Sequence, residues 1–276
     1  MLYQLSPENF HLAQPLFASE RHLAVYSALA GESPAELYVD NPHAPQTAFL
    51  TLWNQQMYLA GDPTRAAFSQ ALAAHLHERF TSLADEEGPR AHTLALTPHA
   101  WADTLASLFA ERKAYPRERQ YYRRRLDAPL PPPVLPAGFV LRQVDEALVA
   151  ESSLRYHDYL VEEMLSETPS VATFLLGRFG FCLQHGQELM GWCMSEYNHG
   201  DHCELGIATA SAFQRRGLAT AAAQATMSYA QARGIIIIGW HCWKENIPSS
   251  NLARNLGFEL VENYPVWYFP ASDKLA

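Results

Sequence analysis

Residues 127–138 read Asp-Ala-Pro-Leu-Pro-Pro-Pro-Val-Leu-Pro-Ala-Gly, and this run constrains the whole chain. Proline fixes φ and removes a backbone donor, so neither a helix interior nor a central strand can pass through such a stretch. It reads as an extended connector. The 276 residues then divide into an N-terminal α/β domain over 1–127, a proline-rich linker over 128–137 and a C-terminal domain over 138–276. With 48% hydrophobic and 18% charged residues, each part has material for a core and a hydrated surface.

The C-terminal part opens with an alternating strand at 139–144 and a helical stretch at about 145–164. A hairpin follows, with strands at 180–185 and 189–197 around His185-Gly-Gln-Glu188. A strand at 202–209 precedes a helix at 217–233, where Leu218, Ala222, Ala225 and Tyr229 share one face. The apolar run 235–240 reads as a strand covered on both faces. A short helix at 248–256 stops at Gly257, and strands at 258–262 and 266–269 close the domain. The N-terminal part has a similar order: strands at 36–39, 47–53 and 56–60, a helix at 66–83, a strand at 93–97, a helix at 101–112 and a strand at 120–125. That order suggests a degenerate internal duplication.

The formal charge of −9 gives no general attraction to nucleic acid and favours cationic ligands. Against this, seven of the eleven basic residues before the linker lie between Arg112 and Arg125. A nucleic-acid-binding module is therefore the competing class for that segment, and a solvated edge strand its simpler explanation. Cys182, Cys193, Cys203 and Cys242 form no CxxC pair and lie in apolar stretches, as buried thiols of a reducing compartment do. His75 with His77, and His199 with His202, have no partners at ligand spacing, so no metal is expected. The first residues lack the basic and apolar regions of a signal peptide, and no apolar run is long enough to span a bilayer. A cytoplasmic protein, monomer or homodimer, is the expectation.

The most informative stretch is Glu204-Leu-Gly-Ile-Ala-Thr-Ala-Ser-Ala-Phe-Gln-Arg-Arg-Gly-Leu-Ala219. A strand ends near Thr209, and a short loop delivers Gln214, Arg215, Arg216, Gly217, Leu218 and Ala219 to a helix start. Free amides and the positive end of the helix dipole meet there, Gly217 lets a phosphate approach the backbone, and two arginines add charge. Farther on stands Asn246-x-x-Ser249-x-x-Leu252-x-x-x-Leu256-Gly-Phe258. In this order, over about 138–270, the motifs resemble the GNAT acetyltransferase superfamily. With Trp240-His-Cys-Trp243 they resemble its zwittermicin-resistance-like branch, which also carries an N-terminal extension. The resemblance implies a GNAT fold of the α/β (α+β) class. Its mixed, mostly antiparallel twisted sheet would be flanked by helices and preceded by a smaller, degenerate GNAT-like domain. The N-terminal half has Ala60-Gly-Asp-Pro63 where a cradle would stand, and an aspartate there repels phosphate.

The resemblance further implies an acetyl-CoA-dependent N-acetyltransferase acting on a small-molecule amine. Ile207, Ala208 and Thr209 would bond the acetyl carbonyl and pantetheine through main-chain groups. Residues 214–219 would hold the pyrophosphate, Asn246 would contact the pantetheine arm or an ordered water, and Ser249 would join the cofactor site. Glu204 is the candidate base, with His241 and Glu196 competing. The family's acid, a tyrosine in the short helix, falls on Ala253, so Ser249, Ser250, Cys242 and Tyr264 become candidates, and a catalytically inactive CoA-binding regulator remains an alternative. Trp192, Tyr197, Trp240, Trp243, Tyr264 and Trp267 are aromatic candidates for the acceptor pocket. Glu162 and Glu163 either hold a cationic amine or form a solvated helix face.

Overall fold

The computed structural model describes residues 1–53, 56–87, 91–109 and 114–270. They form two compact units: Met1–Glu118 with the chain from Pro265 onward, and Arg119–Tyr264.

In the first unit, β1 (Tyr3–Leu5) leads into a 3-10 helix (Pro7–Phe17) and α1 (Leu23–Leu29). Then come β2 (Ala35–Val39), β3 (Thr47–Leu52), β4 (Gln56–Gly61), α2 (Ala66–Glu87), β5 (His92–Thr97), a 3-10 turn, α3 (Leu105–Leu108) and the start of β6 (Tyr115–Arg125). β1 to β4 pair antiparallel in chain order, and β5 lies parallel to β4 after the α2 crossover. Phe68, Leu72 and Leu76 of α2 pack on Phe49, Leu59 and Leu94 of the sheet, with Trp101 fully buried beside them. β1, the first 3-10 helix and α1 have no counterpart in the sequence expectation, because their apolar positions follow no long repeat. The helix expected over 101–112 is a 3-10 turn running into a single helical turn, and residues 110–113 lie outside the described set.

In the second unit, β7 (Phe139–Gln143) precedes α4 (Glu146–Val149), α5 (His157–Glu167) and α6 (Val171–Gly177). β8 (Gly180–His185), β9 (Glu188–His199), β10 (His202–Thr209), α7 (Leu218–Ala232), β11 (Ile237–Trp243), α8 (Ile247–Asn255) and β12 (Glu259–Phe269) follow. β7 to β10 pair antiparallel, and β11 lies parallel to β10 after the α7 crossover. Ala222, Ala223 and Ala230 let α7 sit close on Leu183, Cys193, Leu205 and Ile238, while Leu160, Met164 and Phe174 of α5 and α6 cover Cys182, Leu189 and Met194.

The single helical stretch expected over 145–164 is broken. Arg155 exchanges main-chain hydrogen bonds with Gln187 and Leu189, and Tyr156 turns left-handed at φ 65°. An extended bridge of this kind cannot form inside a helix, and helical periodicity does not reveal it. The two closing strands expected after Gly257 are one, β12.

Each unit takes one strand from the other half of the sequence. β11 pairs antiparallel with Arg119–Arg125 of β6, and β5 pairs antiparallel with Trp267–Phe269 of β12. Both units thus have the same strand plan. They divide the chain at Glu118/Arg119 and Tyr264/Pro265, whereas the sequence placed the division at 128–137. That proline segment forms no regular element, yet Leu130 and Leu135 rest against the core of the second unit. Proline stops hydrogen-bonded structure without stopping side chains from packing.

Candidate active site

The site begins where two strands part. β10 pairs with β9 to its end, from His202 opposite His199 to Thr209 opposite Gly191. With β11 it pairs only at His202–Glu204, opposite Ile237–Gly239. β11 stays with β6 through Trp243 opposite Arg119. Beyond Glu204 and Gly239 the sheet therefore opens as a wedge, with Leu205–Thr209 on one side and Trp240–Trp243 on the other. In the first unit the corresponding parallel pair is closed along its length, Gln56–Ala60 against Thr93–Thr97.

At the open end of the wedge, Gln214 Nε2 donates to the Thr209 carbonyl at 3.2 Å and ties the loop to β10. Arg215 (φ 61°) and Gly217 (φ 77°) are both left-handed and flank Arg216. Such alternation turns successive amides toward one concavity that suits an anion. Gly217 is the N-cap of α7, and nothing lies within 4 Å of where its Cβ would stand, so the space above this backbone is clear. Thr209 Oγ1, at the end of β10, is buried without a hydrogen-bond partner among the described residues. The matching loop of the first unit carries Asp62, whose carboxylate accepts from the amide and hydroxyl of Thr64, which hold its pKa below the ordinary range.

Side chains gather on the α5 side of the wedge. Tyr197 faces Glu204 and Ser195 faces Leu205, so Glu196 is the extra residue of a β-bulge. It lies across Gly206, where a Cβ would stand 2.0 Å from its Oε1. Glu204 lies across Gly239 in the same manner, a Cβ there falling 2.8 Å from its Cγ and 3.1 Å from the Tyr121 ring. Isolated glycines inside strands signal such close approaches, and Gly206 and Gly239 were the sequence clue that motif matching passed over. Glu204 Oε1 is 3.0 Å from His241 Nε2, and His241 Nδ1 is 2.7 Å from the Tyr264 hydroxyl. The Tyr121 ring stacks on the imidazole at 4.5 Å.

The recess is acidic. Protein surrounds Glu196, although part of its surface remains accessible, and its carboxyl is pushed up to about 8. Burial is the main cause, the nearby charge of Glu167 adds to it, Arg119 opposes it, and Glu204 and Glu163 add smaller shares. Burial likewise raises Glu163 on α5, opposed by the Trp192 indole, whereas Glu162 faces solvent. A carboxyl that ionises near neutrality can take or give a proton.

The sequence matches the GNAT acetyltransferase family over residues 14–267. The chain belongs to the GNAT acetyltransferase family. As a member it is an acyltransferase enzyme. It is 26% identical over 250 residues to YdfB of Bacillus subtilis (strain 168), an uncharacterized N-acetyltransferase, spanning 88% of this chain and 89% of that one. Its fold is that of a GCN5-related N-acetyltransferase-like protein from Streptococcus suis 89/1591, with a TM-score of 0.70 at 20% identity, over 95% and 98% of the two chains. A tandem GNAT protein from the clavulanic acid biosynthesis pathway aligns over 99% of each chain with a TM-score of 0.61 at 15% identity. The GNAT match takes in both halves of the chain, as the repeated strand plan requires.

Against this GNAT frame the remaining expected residues fall as follows. Ile207, Ala208 and Thr209 line β10 where it leaves β11. Leu218 is buried and anchors the first turn of α7, with Ala219 partly exposed beside it. Asn246 caps α8, its Oδ1 accepting from the Ser249 amide at 3.2 Å, and Ser249 Oγ accepts from the Trp240 indole at 3.0 Å. Those bonds fix the α8 turn beside β11, which the sequence left unread. Ala253 is wholly buried, so no acid stands at that position; Ser250 is buried too and donates to the Ile247 carbonyl. Trp240 and Cys242 point into the α7–α8 core, while Tyr264 joins His241.

The basic segment is engaged within the fold. Arg117 lies over the Tyr268 ring at 4.9 Å, Arg119 over Trp243 at 5.3 Å, Arg124 donates to the Leu256 carbonyl, and Arg125 approaches Asp127 at 4.0 Å. Arg112 and Lys113 lie outside the described residues. Among the described residues no helix is long and apolar enough to cross a membrane.

Proposed function

We propose that the second unit transfers an acetyl group from acetyl-CoA to an amine, most simply one carried by a small cationic molecule. The observation that carries this reading is the wedge: β10 leaves β11 after Glu204, directly before the left-handed loop at the start of α7. An open strand edge is a template for another extended chain, and the two amides of a pantetheine arm match it. Ile207, Ala208 and Thr209 would pair with that arm, and the unpartnered Thr209 hydroxyl supports a polar group there. The amides of 215–219, with Arg215 and Arg216, suit the diphosphate. Bound there, acetyl-CoA supplies the activated acyl group.

The acceptor reading rests on the acidic recess. Glu163, Glu167, Glu196 and Glu204 gather there; the ionised carboxylates among them favour a cation, and an ammonium bound beside them must lose its proton before it can attack. Four free buried cysteines fit a reducing, cytoplasmic setting.

Two measurements test the reading: thiol release from acetyl-CoA across a panel of amines, and acetyl-CoA binding by calorimetry to Gly217→Glu and Gly217→Asn. Asparagine tolerates the left-handed backbone, so it should keep binding within a few-fold. Glutamate brings a carboxylate to the phosphate position and should abolish binding. Equal affinity in both variants sinks the cradle. Binding without thiol release for any amine favours the inactive CoA-binding alternative.

A further inference from the structure

We propose that Tyr264 is the group that exchanges protons with the reactants, and that His241 and Glu204 orient it and balance its charge. This inference rests on the acetyltransferase reading and supplies the acid that the buried Ala253 lacks.

The geometry forms a three-member chain. Glu204 Oε1 lies 3.0 Å from His241 Nε2, and His241 Nδ1 lies 2.7 Å from Tyr264 Oη. A carboxylate accepts only, so it takes the Nε2 proton and fixes the tautomer. Nδ1 is then an acceptor, and the phenol donates to it. Tyr121, stacked at 4.5 Å with an interplanar angle of 12°, and the Gly239 gap that admits Glu204 hold the ring and the carboxylate in place.

Exposure gives the chain a direction. The Glu204 and His241 side chains are 6% and 9% exposed, whereas Tyr264 retains an accessible surface. The phenol is therefore the end that can meet a reactant. His241 stands two residues beyond Gly239, where β11 has left β10, and Tyr264 reaches its imidazole from β12, the strand on the other side of β6.

The cycle needs no reagent beyond water, which takes the one net proton that acetylation of an ammonium releases. The ammonium N–H passes its proton to Tyr264 Oη while the phenol proton moves to His241 Nδ1, and the imidazolium is held by the Glu204 carboxylate. The amine nitrogen then forms the N–C bond and releases its second proton to water, the C–S bond breaks, and the C–S electron pair leaves on sulfur. Tyr264 gives a proton to that sulfur and regains one from His241. The same shuttle serves as base and as acid.

The test uses the full-length enzyme with acetyl-CoA and an amine that it accepts. Tyr264→Phe should lower kcat about 100-fold or more, with acetyl-CoA affinity by calorimetry within about twofold of wild type. His241→Ala should fall similarly and recover with added imidazole, which a purely structural loss would not do. The double variant should be no slower than the worse single one, because the two act as a unit. An unchanged kcat in Tyr264→Phe, fully multiplicative losses, or a loss of acetyl-CoA binding matching the loss of rate overturns the relay while leaving the acetyltransferase reading intact. Absence of thiol release by the wild-type enzyme with every amine overturns both.

Discussion

Glu196→Gln should stabilise the protein at neutral pH and flatten its dependence of stability on pH. The carboxyl titrates at about 8 in the native state against an ordinary value of 4.5, chiefly because burial disfavours its charge. Below 4.5 the group is protonated in both the native and the unfolded chain and costs nothing. Between 4.5 and about 8 the unfolded chain releases its proton while the native chain retains it, so stability falls as pH rises. Above about 8 both forms are ionised and the penalty is constant. At pH 7 the gap is about two and a half pH units at about 1.4 kcal/mol each, or about 3.5 kcal/mol. Water reaching the accessible side of the recess screens the charge and brings the measured difference to between about 1 and 3 kcal/mol. Urea unfolding from pH 4.5 to 8 checks it, with glutamine keeping the shape of the side chain and removing the titration. If wild type and variant lose stability in parallel over that range, the carboxyl is not held neutral by burial and the account of the acidic recess fails.

Glu204→Gln should lower turnover at least tenfold near neutral pH and leave acetyl-CoA affinity unchanged, since the amide no longer balances an imidazolium at His241; an unaltered pH–rate profile would move the base elsewhere. The thiols of Cys182 and Cys193 are pushed up to about 12 by burial, and burial raises Cys203 and Cys242 as well. Native protein should therefore resist a disulfide-exchange reagent at pH 8 over minutes, and all four should react in denaturant; rapid labelling of the native protein would contradict the packing described for them.

Local chemistry determined much of this protein. The alanine face of α7, the glycine at its N-cap and the strand before it are written in consecutive residues, because backbone preference and helix-end electrostatics act over a few positions. Most of the order of elements was legible for the same reason, apart from β1, the first 3-10 helix, α1 and the breaks that separate α4, α5 and α6, and the four cysteines read as buried hydrophobes from their apolar neighbours. Tertiary structure decided which residues meet. Glu204 and His241 appeared as competing bases and Tyr264 as a candidate acid along 61 positions of sequence, and the fold joins them through contacts of 3.0 and 2.7 Å. The exchange of closing strands between the halves, and the parting of β10 from β11 where β4 and β5 stay closed, depend on non-local pairing. No window of sequence encodes that pairing. A strand carries the same alternation whichever partner it finds, so partner and register are set by the faces that packing buries.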